Sequence, residues 1–105
     1  MNVFRIAMKS LPGHWHQGSI GSGANRCVFG HMCDAIQDDE AYTFEVNSTK
    51  LLNTVAREMF PDRVPHPEGS PMPAAQFNDH PDTTEDDCLA VLDKCATIFD
   101  EKAGL

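Results

Sequence analysis

Basic side chains are scarce in this chain: eight Lys and Arg stand against 16 Asp and Glu, a formal charge of −8 over 105 residues. That balance repels nucleic-acid phosphates and anionic membrane surfaces, so direct nucleic-acid or membrane binding is not expected. No run of residues comes near the roughly 20 apolar positions needed to cross a bilayer. The opening stretch, Met1 to Lys9, contains Arg5 and Lys9 and no extended apolar segment, unlike a secretory signal, so the cytosol is the expected location. Cysteines number four, and none forms a Cys-x-x-Cys pair. If Cys88 and Cys95 share a helix, seven residues of rise part them by about 10 Å, beyond the reach of a disulfide. The same holds for Cys27 and Cys33 in a helical segment. Reduced, mostly buried thiols are therefore expected. Internal repeats are lacking too.

What is present is the composition of one ordinary globular domain, 41% hydrophobic and 23% charged, spanning 1–105. Val3, Phe4, Ala7, Met8 and Leu11 follow helical spacing, and Pro12-Gly13 ends that helix. The small-residue run Gly18 to Ala24 reads as a surface loop. Asn25 is placed to cap a second helix over 26–38, apolar on nearly every side and hence the buried central element. Gly30 within it implies close approach of another backbone. Tyr42 to Val46 alternates apolar and polar residues but has no convincing partner strand, so an extended connection is expected. A third helix runs from Asn47 or Ser48 to Phe60, ended by Pro61. Residues 61–82 hold six of the seven prolines, a density that predicts a long loop without helix. Thr84 with Asp87, or Thr83 with Asp86, then resembles a capping box opening a fourth helix to about Lys102. The expected fold is all-α: three to four helices around a buried central helix, with one long proline-rich loop.

The densest set of potential metal ligands is His14, His16, Cys27, His31 and Cys33. Cys27 and His31 are four apart on one helical face, and zinc takes four such N and S donors. The spacing matches no standard finger, and packing roles account for each residue, so no metal or cofactor is expected. A Cys27–His31 nucleophilic pair is the enzymatic alternative, with Cys27 in a first helical turn, but no third orienting group is visible. Gly18, Gly21 and Gly23 before a helix suggest a phosphate cradle only superficially, for there is no Lys and no preceding strand. Trp15, the single tryptophan, is expected to anchor its loop onto the core. Two acidic clusters, Asp34 with Asp38, Asp39 and Glu40, and Asp79 through Asp87, suit attraction to a basic partner protein.

Trp15-His16-Gln17-Gly18 followed by Cys27-Val28-Phe29-Gly30-His31-Met32-Cys33-Asp34-Ala35 resembles a Trp-x-x-Gly loop leading into a Cys-x-x-Gly-Ala helix. Phe77-Asn78-Asp79, then Thr83-Thr84-Glu85-Asp86-Asp87 and an apolar helix, resembles a Trp-Asn-Asp pattern. Both occur in this order in an uncharacterised family, a domain of unknown function in small actinobacterial and actinophage proteins. His31 stands where that family has a small residue, and Phe77 where it has Trp. The resemblance implies a helical fold and a phage or actinobacterial origin and supplies no activity. Physically, Cys27 fills a small space, and Asn78-Asp79 hydrogen-bond loop backbone and tie the proline-rich excursion to the fourth helix.

The functional expectation is a small acidic, non-enzymatic interaction protein that binds a host or phage protein, with Asp38, Asp39, Glu40, Glu85 and Asp86 in the contact. A Cys/His metal-binding protein or Cys-dependent enzyme is the alternative, and nucleic-acid mimicry a minor one.

Overall fold

The computed structural model describes residues 2–19, 21–22, 24–36, 41–66, 68 and 72–103. Among the described residues five helices carry the fold. They are α1 (Val3–Ser10), α2 (Val28–Ala35), α3 (Ala41–Met59), α4 (Pro73–Asp79) and α5 (Glu85–Ala103). Two short strands, β1 (Gly21–Ser22) and β2 (Asn25–Arg26), pair antiparallel between α1 and α2. The helical class stands.

The Asn2 side chain accepts from Phe4 N and Arg5 N and so caps α1, while its amide donates to Ala96 O and Asp100 Oδ1 on α5. One residue thus starts the first helix and fastens it to the last. Val3, Phe4, Ala7 and Leu11 are fully buried along the α1 stripe. α1 packs on α2 and α5, α3 packs on α4 and α5, and α2 also meets α3 and α4. The core joins Phe4, Leu11, Val28, Met32, Leu52, Phe77, Val91 and Leu92 from all five helices. α2 buries Val28, Gly30, His31, Met32 and Ala35, leaving Asp34 exposed, as its all-round apolar pattern requires.

Four expectations need correction. First, α2 is shorter than 26–38, and its N-cap is Cys27 rather than Asn25: the Cys27 sulfur accepts from Gly30 N at 3.3 Å. Asn25 and Arg26 are taken by β2, where Arg26 N donates to His14 O and Arg26 O accepts from His16 N. Second, the small-residue run is therefore partly ordered as a hairpin. Gly21 sits at φ +90°, and a Cβ there would lie 2.0 Å from Asn25 O. No other residue type fits.

Third, Tyr42 to Val46 belongs to the first turns of α3. Five alternating residues are too short a signal to outweigh a run free of Gly and Pro that continues into a strong helix. Fourth, residues 61–82 are not devoid of helix. Pro61 opens a 3₁₀ turn (Pro61–Arg63), and Pro73 opens α4. Both prolines occupy first-turn positions, where the missing N–H costs nothing and φ is already set. Residues 74–80 contain no proline, so nothing interrupts α4. Asn53 on α3 accepts from Ala74 N at 2.9 Å and replaces the cap that Met72 cannot supply.

Further contacts fasten the proline-rich segment. Gln76 pairs with the backbone of His66 in both directions, accepting from its N at 2.9 Å and donating to its O at 2.7 Å. Phe60 stacks on Phe77 at 5.0 Å between centroids, and the Arg63 guanidinium lies over the Phe60 ring at 4.7 Å. Arg63 also bonds Asp87 of α5. At that helix start Thr84 and Asp87 form the reciprocal capping box, Asp87 N to Thr84 Oγ1 and Thr84 N to Asp87 Oδ2.

Candidate functional site

Asn78, fully buried at the end of α4, gathers the segments that the two sequence motifs mark. Its Oδ1 accepts from Trp15 Nε1 at 2.7 Å and from Val28 N, the first residue of α2, at 2.9 Å. Its Nδ2 donates to His16 O at 2.9 Å and to Asp79 Oδ1 at 3.0 Å. Its backbone O accepts from Gln17 Nε2, which also reaches His80 O. Asp79 completes the knot by accepting from Gly18 N at 2.8 Å. The Cys88 thiol of α5 lies 3.9 Å from the same Asn78 oxygen. One carboxamide therefore holds the Trp15–Gly18 loop, α2 and α4 in register, with α5 alongside. Asn78 thus ties the proline-rich stretch it lies in to the loop and α2, and meets α5 only at the Cys88 thiol.

The five candidate ligands His14, His16, Cys27, His31 and Cys33 do not converge in this way, and among the described residues no group of three His, Cys, Asp or Glu side chains gathers. His31 is 2% exposed, and both of its ring nitrogens have partners: Ser10 Oγ at Nδ1 and His14 O at Nε2, each 2.9 Å away. A carbonyl only accepts, so in the neutral ring Nε2 carries the proton and Nδ1 accepts from the Ser10 hydroxyl. The imidazole is a strut between α1, the following loop and α2. The His14 ring contacts Asn25 Oδ1, and the His16 ring contacts Ser19 Oγ, both toward solvent. Cys27, the N-cap of α2, is buried, and Cys33 within α2 is half-buried.

The thiols are electrostatically quiet. Burial pushes the Cys27 thiol up despite the Gly30 N–H that lowers it, and burial pushes up Cys88 and, to about 12, Cys95. These are neutral packing groups rather than thiolates.

The acidic residues fall into different situations. Asp38, Asp39 and Glu40 lie outside the described residues. Glu85 accepts from Gly13 N at 2.7 Å and so ties the loop to α5, while Asp86 is exposed. Asp82 is 80% exposed, 4.0 Å from His80 Nδ1. Burial works to raise the Asp87 carboxyl, but Arg63 and Thr84 outweigh it and hold it below the usual range.

Sequence reasoning missed Ser10, Gln17, Gln76 and Asn53, which act through long-range bonds that leave no local pattern. It also passed over a cavity between α1, α3 and α5, bordered by Lys50 and Lys102. Its signal was available: Asn47, Lys50, Leu51 and Thr54 recur at helical spacing on one face of α3.

The helices and the Asn78 knot together define a small α-helical fold. The chain belongs to a family of unknown function (DUF6197), whose model matches residues 2–98. Among curated proteins and solved structures nothing matches it.

Proposed function

We propose that the protein is a small non-enzymatic binding protein that meets a basic partner protein along one acidic edge. That edge is built from the loop 13–19 and the turn 79–86. The observation that carries this reading is a pair of backbone ties. Gly18 N binds the Asp79 carboxylate and Gly13 N binds the Glu85 carboxylate, so loop and turn are fastened side by side. Asp82 and Asp86 then project into solvent from a rigid support. A preorganised cluster of like charge steers and orients an oppositely charged surface with little ordering cost on binding. The chemistry-bearing side chains point the same way, since His31 and Cys27 already serve internal bonds. The resemblance to actinophage proteins makes a host or phage protein of the cytosol the natural partner.

The test uses a short lysine-rich peptide as probe, with Trp15 emission as the readout beside the edge. Binding is expected to weaken steeply as salt rises, and Asp82→Lys with Asp86→Lys is expected to weaken it about tenfold at low salt. A control with Asp93→Lys and Glu101→Lys, exposed on α5, leaves it within about twofold. Equal losses in both double variants, or no binding at low salt, overturn the reading.

A further inference from the structure

An open cavity of about 610 Å³ lies between α1, α3 and α5, apart from the acidic edge. Phe4 and Phe99 meet edge to face at 6.1 Å to form its floor, and Leu51 adds an aliphatic wall. Ser48 and Thr54 supply hydroxyls, and Lys50 and Lys102 stand exposed at the border. The volume lies within the range of roughly 300–1,000 Å³ typical of small-molecule sites, which also pair an apolar lining with a few polar groups.

Charge decides the class of ligand. In a chain of net charge −8, three of the four arginines, Arg5, Arg26 and Arg63, each pair with an aspartate. Lys50 and Lys102, like Lys9, Arg57 and Lys94, have no carboxylate partner among the described residues, and of these five they are the two that border the apolar cavity. Lys102 also lies in the last turn of α5, where the helix dipole favours a cation, but that does not account for Lys50. A polyanion is repelled by the whole molecule, whereas a single anionic head feels mainly the two cations within a screening length.

We propose that this cavity binds an anionic amphiphile, one aliphatic chain ending in a carboxylate. The chain lies over Phe4, Leu51 and Phe99, and the head sits at Lys50 and Lys102. This site is independent of the protein-binding edge.

Calorimetric titration of the full chain with decanoate, dodecanoate and dodecanol tests it. Each added methylene of the carboxylate is expected to tighten binding about fourfold, the ratio expected for burial in an apolar site. The double variant Lys50→Met, Lys102→Met is expected to weaken dodecanoate about tenfold and leave dodecanol unchanged. Because both lysines are exposed, that variant folds as the parent does. Leu51→Trp fills the cavity and is expected to abolish both ligands, with helical circular dichroism retained. Absence of dodecanoate binding, loss of chain-length dependence, or equal weakening of acid and alcohol in the lysine variant each overturns the proposal. If Leu51→Trp does not fold, chemical-shift changes confined to residues 47–54 and 99–102 on adding dodecanoate support the site, and changes elsewhere overturn it.

Discussion

The Trp15 indole donates to the Asn78 carboxamide oxygen at 2.7 Å across 63 residues of sequence. The same oxygen accepts the first backbone N–H of α2, and the amide nitrogen of Asn78 donates to His16 O. A buried carboxamide has few ways to satisfy both ends at once, so this geometry fixes the loop, α2 and α4 relative to one another. An asparagine without visible chemistry thus acquires a physical role.

Asn78→Ala leaves the Trp15 N–H, the Val28 N–H and the His16 carbonyl without their partner inside the fold. A buried unsatisfied group costs about 1–3 kcal/mol, and a few shared by one site bring the expected loss to about 3–5 kcal/mol. Urea denaturation measures it, and Trp15 emission is expected to shift red as the indole loosens. A loss under about 1 kcal/mol shows that the knot is not structural.

The thiols predict a reactivity order and an alkaline limit. With a thiol reagent at pH 8, Cys33 is expected to react first, being half-buried, while Cys27, Cys88 and Cys95 wait for opening of the fold. In the unfolded chain a thiol ionises near about 8.5. In the folded chain burial holds Cys27, Cys88 and Cys95 above their ordinary value, Cys95 at about 12. Above that unfolded value the unfolded state sheds protons that the native state keeps, so stability falls as pH rises. Denaturation midpoints measured from pH 8 to 10 check the direction, and Cys95→Ala is expected to make the fall shallower.

At the acid side the sign reverses. Asp87 is held below its ordinary value by Arg63 and Thr84 against the opposing effect of burial. Its stabilising contribution is complete above the unfolded value of about 3.9 and is lost as pH falls through the lower folded one. Asp87→Asn is expected to flatten the stability profile below pH 4 while lowering stability at pH 7. Thr84→Ala removes the other half of the capping box and is expected to cost about 1 kcal/mol at pH 7, with the acid slope largely kept. A Thr84→Ala variant as stable as the parent contradicts the cap.

Local patterns carried much of the architecture. The α1 stripe, the α2 apolar surface and the Thr84–Asp87 box were legible because each rests on contacts within four residues. The helix in the proline-rich stretch was not: six prolines argue against helix by count, and only their positions, Pro61 and Pro73 in first turns, permit it. The cap of α4 comes from Asn53, some twenty residues away, and nothing local announces it.

The candidate site divides in the same way. Periodicity placed Cys27 and His31 on one helical face, but their chemistry depended on which atoms lay opposite, and those proved to be Ser10, the His14 carbonyl and the Gly30 N–H. The sequence by itself determined a helical, acidic chain with reduced thiols and a capped last helix, because spacing, charge and capping are short-range properties. Only the tertiary structure decided that Asn78 joins three segments and that two lysines border one apolar cavity. Those are pairings between residues distant in sequence, and packing alone brings them within bonding range.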